Sequence, residues 1–269
     1  MRKIVSQCCS IIENQKLDRS GEHWRLRVKG FLPARPIYAG QFVHVKVSKR
    51  TDPLFRRAFS IAGYDKRKAT LEIIYKTIGR GTALLAEKGK GDQLNLLGPL
   101  GNHFSALSRK QAAVLVAGGV GLPPLYFLAA QLIRGGRDPR RIFFFYGAQS
   151  QDHLLEMKRL RALGIDLIAC TDDGSYGFPG SVVDGLKATL PELDKREIFI
   201  YGCGPEPMLA ALQRTALEAG LDGELSLEAP MPCGVGVCLG CVKPRREKPD
   251  DYVRVCRDGP IFRIGEVAL

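Results

Sequence analysis

Apolar and polar positions alternate in two different ways along the chain. Up to about residue 104 they form short runs that favour strands. Residues 42–47 alternate in part, and residues 70–75 give a second strand candidate. Gly and Pro punctuate this stretch at Pro33, Pro36, Gly40, Pro53, Gly63, Gly79, Gly81, Gly89, Gly91 and Gly98. Many short strands between such turn signals predict a small antiparallel barrel. After Ser105 the period changes. Apolar runs at 112–117, 142–146, 165–170 and 197–201 alternate with helical patterns at 124–134, 153–163, 182–190 and 206–219. Strands and helices at that spacing predict parallel βαβ units in a doubly wound sheet. From about Asp222 the chain is loop-rich and crowded with Cys, Gly and Pro. A piece this short has little apolar area to bury and needs a metal or a host domain to stay ordered. The fold class expected is β plus α/β: a barrel over 1–104, a doubly wound parallel domain over 105–221, and a small cysteine-rich domain over 222–269.

Composition narrows the class. The chain has 269 residues, 45% hydrophobic and 25% charged, which is ordinary for a globular enzyme. Its net charge of +12 favours anions or acidic partners without saying anything about fold. The basic residues fall in small groups: Lys46, Lys49 and Arg50; Arg56 and Arg57; Arg134, Arg137, Arg140 and Arg141; Lys243, Arg245, Arg246 and Lys248. Solvated faces account for them, and no RNA-binding aromatic signature accompanies them, so no nucleic acid is expected. The stretch 111–133 is long enough to cross a bilayer, but Gly118, Gly119, Gly121, Pro123 and Pro124 divide it into a strand, a turn and a helix start. No membrane span is expected, and residues 1–9 lack the apolar core of a secretory signal. The eight cysteines therefore belong to a reducing cytoplasm, where metal or redox roles are favoured over disulfides.

Four of those cysteines carry the sharpest signal. Cys233, Cys238 and Cys241 make a C-x4-C-x2-C run, and Cys256 follows after fourteen intervening residues. This is the spacing of plant-type 2Fe–2S ferredoxins. Gly234, Gly236 and Gly240 let backbone N–H groups approach the cluster sulfurs. A structural zinc site is the alternative. Zinc ribbons usually pair two C-x2-C units, and the four-residue first spacer here argues for iron and sulfur. Cys8, Cys9, Cys170 and Cys203 fit no ligand spacing, and the first three read as small packed residues.

Two weaker patterns lie in the barrel. Arg57-Ala58-Phe59-Ser60 sits between β-like segments; Arg offers a fork for a pyrophosphate, Phe59 a surface to stack on, and Ser60 a hydrogen bond. Downstream, Tyr75-Lys-Thr-Ile-Gly-Arg-Gly81-Thr82 places a glycine turn where N–H groups can meet phosphate. In the second domain, Val116-Ala-Gly118-Gly119-Val-Gly121 follows a buried strand and opens a helix. Its spacing departs from G-x-G-x-x-G, yet its glycines can still bring a pyrophosphate to a helix start. Tyr146-Gly147, residues 171–173 and residues 202–205 end successive strands, where open α/β sheets gather ligands.

Together these motifs resemble the ferredoxin–NADP reductase superfamily. With the C-terminal cysteines, the whole chain is similar to the electron-transfer subunits of the dihydroorotate dehydrogenase B family. Gly98-Pro-Leu-Gly101, Thr171-Asp-Asp-Gly-Ser175, Tyr201-Gly-Cys-Gly-Pro205 and Val255-Cys256-Arg-Asp-Gly-Pro260-Ile-Phe262 carry that likeness. The resemblance implies FAD held by Arg57, Ala58, Phe59 and Ser60, by Ile74, Tyr75 and Lys76, and by Gly81 and Thr82. It implies a nicotinamide dinucleotide at Gly118, Gly119, Gly121, Thr171, Asp172, Cys203, Gly204 and Pro205. Cys233, Cys238, Cys241 and Cys256 match the cluster ligands one for one. Ala58 departs from the proline usual in relatives. Asp172 and Asp173 stand where phosphate-preferring relatives carry serine and arginine, so NAD is expected over NADP. The function implied is electron transfer between NAD, FAD and the cluster. It would serve a separate FMN-containing dihydroorotate dehydrogenase catalytic subunit in a heterotetramer of two of each, supporting pyrimidine biosynthesis. A related reductase subunit serving a sulfide dehydrogenase, a hydrogenase or a ferredoxin is the alternative.

Overall fold

Six strands close the first barrel: β1 (Val5–Lys16), β2 (His23–Lys29), β3 (Phe42–Lys46), β4 (Arg57–Asp65), β5 (Thr70–Lys76) and β6 (Gln93–Leu100), in the order β1-β2-β5-β4-β3-β6. The computed structural model describes residues 4–48, 50–108, 110–194 and 197–269; Lys49, one of the basic residues above, lies outside them. Every pairing around the barrel is antiparallel. Period-two alternation sorts the side chains. Val43 and Val45 point inward to a core shared with Leu26, Ile61, Ile73 and Leu94. Phe42 turns the other way and joins a second core outside the barrel. A short helix α1 (Arg80–Ala86) connects β5 to β6.

The second domain is built on β7 (Ala112–Gly118), α2 (Leu122–Arg134), β8 (Ile142–Ala148), α3 (Met157–Arg161), β9 (Asp166–Thr171), β10 (Phe178–Pro179), α4 (Val182–Thr189), β11 (Ile198–Cys203) and α5 (Glu206–Glu218). All seven residues of β7 are buried, as expected for a parallel strand covered on both faces. Ala113, Leu115 and Ala117 share one core with α2, while Ala112, Val114 and Val116 share the other with α4 and α5. The seven-stranded sheet runs β10-β9-β8-β7-β11-β12-β15, where β12 is Gly223–Ser226 and β15 is Ile261–Arg263. Only β15 runs antiparallel to its neighbour. The barrel and the doubly wound sheet expected from sequence are both present. Segment 222–269 lends two strands to that sheet, so the cysteine-rich piece is anchored on its host. Its remaining regular structure is one hairpin, β13 (Val242–Pro244) with β14 (Tyr252–Arg254).

One expected helix is much shorter than its pattern. Periodicity predicts a helix over 153–163, but α3 covers only Met157–Arg161. Leu154 is extended and Glu156 is left-handed at φ 57°. The break has a tertiary cause. The Glu156 carboxylate is nearly buried and pairs with Arg25 of β2 at 2.8 Å and with Arg159 at 3.3 Å, while Arg159 also reaches Glu72 of β5 at 2.7 Å. This network joins the barrel to the second domain. Many of the other basic residues are paired at the surface, among them Arg140 with Asp138, Arg141 with Glu197, and Lys243 with Glu206. Exposed pairs of this kind contribute little individually. Among the described residues, no helix is long and apolar enough to cross a membrane.

Candidate functional site

A cleft of about 520 Å³ opens where the barrel, the start of α2 and the C-terminal segment meet. That size is typical of a small-molecule site. Arg57, Ala58, Phe59, Ser60, Ile74, Tyr75, Lys76 and Thr82 all line it, so the barrel residues singled out from sequence converge. Gly81 stands just behind. A Cβ there would collide with the Arg57 guanidinium, so this glycine permits the arginine's placement. Arg57 donates one N–H to the Phe55 carbonyl at 2.5 Å and has no carboxylate partner among the described residues, which leaves its fork for an anion. Phe59 packs against Tyr75, ring centroids 5.6 Å apart, and Tyr75 stacks on Trp24 at 6.4 Å.

Three side chains in this set are already engaged. The Tyr75 hydroxyl donates to Asn14 Oδ1 at 3.1 Å, and burial pushes its pKa up to about 12. Lys76 pairs with Glu22 at 3.0 Å. Thr82 Oγ1 accepts from the N–H groups of Ile78 and Gly79 and donates to the Gly79 carbonyl, so it holds its own turn together. These three can serve a ligand through backbone and surface, while Arg57 and Ser60 keep polar side chains for it.

The nucleotide-side residues gather at the carboxyl edge of the sheet. Gly118 ends β7, Thr171 ends β9 and Cys203 ends β11. A Cβ at Gly121 would strike the Cys203 carbonyl, so α2 begins in direct contact with the end of β11. Val120 and Pro123, at the same helix start, line the first cleft, and Gly204 lines a neighbouring pocket of about 350 Å³. The two pockets share residues 227–230, which places the nucleotide edge and the cleft side by side. Thr171 is buried and spends its hydroxyl on Tyr176, donating to the carbonyl at 2.8 Å and accepting from the N–H at 3.0 Å. Asp172 and Asp173 are exposed beyond β9, two strands from β7. Cys203 is buried, lines neither pocket, and burial drives its thiol far above its ordinary pKa, so it packs as a neutral side chain.

The four cysteines form two pairs. All four are free thiols, and Cys233 lies beside Cys238 and Cys256 beside Cys241, close enough for each pair to influence the other's charge. Backbone N–H groups point at three of the sulfurs: Val235 and Cys238 to Cys233 at 3.5 Å, Gly240 to Cys238 at 3.4 Å, and Cys256 to Cys241 at 3.4 Å. Burial raises the Cys233 thiol, but the N–H groups of Val235 and Cys238 outweigh it and bring the thiol down to about 6. Burial first, and Cys241 second, push Cys256 up to about 12. Left-handed Gly234, Gly236 and Leu239 wind the loop so that its amides face inward. Among the described residues no group of three or more Cys, His, Asp or Glu side chains is gathered closely enough to hold a metal ion. Four thiols at the C-x4-C-x2-C…C spacing match in number the two thiolates that each iron of a 2Fe–2S centre takes.

Two contributions to the site carry no local sequence signature. Residues 226–232 form one wall of the cleft and lead directly into Cys233. Glu228 stands at its mouth, solvent-accessible, with its carboxyl raised by the surrounding protein. The other is His44 on β3. It is completely buried, and among the described residues neither ring nitrogen has a hydrogen-bond partner. Burial, reinforced by Arg56, holds its pKa down to about 4, so the ring is neutral near pH 7. A buried polar group left unmatched costs about 1–3 kcal/mol.

Comparison with known proteins agrees with this geometry. Residues 228–268 match the family model of the iron-sulfur cluster binding domain of dihydroorotate dehydrogenase B, and residues 115–214 match an oxidoreductase NAD-binding domain. A dihydroorotate dehydrogenase B (NAD(+)) electron transfer subunit from Geobacillus kaustophilus is 42% identical over 248 residues, 91% of this chain and 93% of that protein. The chain belongs to the family of dihydroorotate dehydrogenase B electron transfer subunits. Among solved structures, one described as an NADH-dependent reduced ferredoxin-NADP oxidoreductase aligns with TM-score 0.83 and 26% identity, covering 97% of this chain and 89% of that one. A ferredoxin NADP+ reductase from Neisseria gonorrhoeae, solved with FAD and NADP, shares the fold at TM-score 0.67 and 20% identity over 80% of this chain and 92% of that one. The chain is thus an oxidoreductase subunit with an iron–sulfur cluster binding domain and an NAD-binding domain, and both matched domains fall where the pockets and the cysteine loop lie.

Two variants and a control test the placement of these cofactors. Arg57→Ala should weaken FAD retention by about 1.5–3 kcal/mol, the usual worth of a hydrogen bond to a charged group, read as FAD occupancy after dialysis. Equal retention would reduce Arg57 to a surface residue. Cys238→Ser should abolish or badly weaken cluster assembly, measured as iron, sulfide and visible absorbance, whereas Cys8→Ala should leave all three unchanged.

Proposed function

We propose that the chain passes electrons between NAD and a separate catalytic subunit through FAD and a 2Fe–2S cluster, and that the subunit it serves oxidises dihydroorotate to orotate. One observation carries this reading. The wall of the flavin cleft, residues 226–232, continues without interruption into the loop of Cys233, Cys238 and Cys241. The two cofactor sites therefore share a strip of chain and a common core: Phe42 lines the cleft and packs in the same cluster as Cys241 and Cys256.

Flavin exchanges a hydride with nicotinamide yet can release electrons singly, and a 2Fe–2S centre carries one at a time. The residues supply orientation and exclusion. Arg57 offers a charge-assisted fork to the pyrophosphate, Phe59 a flat apolar surface, and Ser60 a hydrogen bond from the cleft wall. Val120 and Pro123 bring the nucleotide domain to that same cleft. Gly119 faces open space, so a dinucleotide can approach the backbone at the start of α2, while Gly118 and Gly121 let the end of β11 and α5 pack close beneath it. Gly204 and Pro205 continue that edge at the end of β11. Asp172 and Asp173 would repel a 2′-phosphate, which favours NAD over NADP. Cys233, Cys238, Cys241 and Cys256 hold the cluster, and the exposed Val237 and Leu239 of that loop suit the face a partner would cover. The partner proposed is an FMN-containing catalytic subunit, in a heterotetramer of two copies of each, working in the cytoplasm. A second reading, service to a ferredoxin-type partner, is favoured by the whole-length likeness to the NADH-dependent reduced ferredoxin-NADP oxidoreductase structure.

Mixing the chain with the FMN-bearing dihydroorotate dehydrogenase of the same source should give a complex with dihydroorotate-dependent NAD reduction. The chain alone should reduce an artificial acceptor from NADH and leave dihydroorotate untouched. Failure to associate, or turnover of dihydroorotate by this chain alone, would sink the assignment of partner. Stopped-flow bleaching of the flavin should be faster with NADH than with NADPH; the reverse order would overturn the role given to Asp172 and Asp173.

A further inference from the structure

His44 is the one buried imidazole of β3, and its place in the barrel is unusual. Val43 and Val45 on either side of it fill the barrel interior, whereas His44 and Phe42 face outward. The Cys233 loop covers that outward face. A Cβ on Gly234 would come within 2.5–2.8 Å of three atoms of the imidazole ring, so the loop lies flat on the ring at its one left-handed glycine next to Cys233. The rings of Phe42 and His44 are 5.7 Å apart, and on the other side of β3 the register pairs His44 with Ala58 of the flavin strand. His44 thus stands between the strand that builds the flavin cleft and the loop that carries the thiols.

The ring is fully buried with both nitrogens unmatched. A leucine or phenylalanine would fill the same outward position without that penalty. Buried polar groups are nearly always hydrogen-bonded, so this one calls for an acceptor that the described residues do not supply. The loop's own amides cannot serve: those at Val235 and Cys238 already donate to Cys233 Sγ, and they are donors like the imidazole N–H. Thiolate and sulfide sulfurs of a 2Fe–2S cluster are acceptors, and the loop that holds them rests on the ring.

We propose that His44 donates a ring N–H to a sulfur of the cluster and thereby sets how readily the cluster accepts an electron. The inference rests on the cluster assignment and adds a positioning residue outside the cysteine motif. An N–H aimed at the cluster stabilises the extra negative charge of the reduced state. Its removal therefore lowers the midpoint potential, the same lever that hydrogen bonds to sulfur exert in iron–sulfur proteins generally.

The test uses the full chain after anaerobic cluster reconstitution. Iron and sulfide are assayed first; a wild-type chain without them overturns the cluster reading and this inference with it. With the cluster loaded, His44→Phe keeps a flat ring and removes the donor, and His44→Gln retains an N–H. In an EPR-monitored redox titration, His44→Phe should shift the cluster equilibrium about tenfold toward the oxidised state, a fall of about 59 mV for one electron. His44→Gln should recover most of that shift, and the flavin couple should move much less than the cluster in either variant. In wild-type protein labelled with ¹⁵N-histidine, pulsed EPR of the reduced cluster should detect nitrogen coupling that His44→Phe abolishes. An unchanged potential in loaded His44→Phe would overturn the proposal. So would the absence of ¹⁵N coupling in the wild type, a measurement that holds even where a variant fails to fold or load.

Discussion

The rest of the structure depends on how the cysteine loop is held against the flavin barrel. A segment with one short hairpin of its own cannot hold four thiols in register, since it has too little apolar surface to bury. Here it borrows its order. β12 and β15 extend the seven-stranded sheet, and Asn102, just past the barrel, clamps the C-terminal strand by donating to the Ile261 carbonyl at 2.8 Å and accepting from its N–H at 2.9 Å. Val253, Val255, Cys241 and Cys256 then share a core with Phe42 of the barrel and Leu225 of β12. The thiols are ordered because three parts of the chain meet at one core, and that same meeting brings them beside the flavin cleft.

A second constraint sets the two larger domains. The flavin cleft exists only if α2 approaches β4, because Val120 and Pro123 complete the cleft begun by residues 57–60. Gln131 of α2 fixes this approach by accepting from the Ala39 N–H at 2.8 Å and donating to the Ile37 carbonyl at 3.1 Å. On the far side, the Arg25–Glu156 and Arg159–Glu72 pairs tie the barrel to the start of α3. The cost is visible in the backbone, where Glu156 adopts a left-handed conformation to place its carboxylate between the two arginines.

Much of this was legible in the sequence. Cysteine spacing reads directly because a cluster constrains how many residues can lie between its ligands. The change from period two to strand–helix alternation reads just as well, because each period reflects a face that must be buried. Arg57, Phe59 and Ser60 sit in the cleft as their order suggested. What escaped were features with a purely tertiary cause. The helix expected at 153–163 is cut short by a carboxylate whose barrel partner, Arg25, lies over a hundred residues away, beyond the view of any local periodicity. Residues 226–232 carry no motif, and they line the cleft only because the sheet delivers them there. His44 reads from sequence as one more residue of an alternating strand. Only its burial and its missing partners set it apart.

The central claim is that the nucleotide edge, the flavin cleft and the cysteine loop are one path for electrons. The most direct measurement is an anaerobic titration of the purified, reconstituted chain with NADH, followed by visible absorbance and EPR in the same sample. Flavin absorbance should bleach, and the signal of a reduced 2Fe–2S centre should rise with it, without any partner subunit present. Bleaching of the flavin while the cluster stays oxidised in excess NADH would contradict a continuous path.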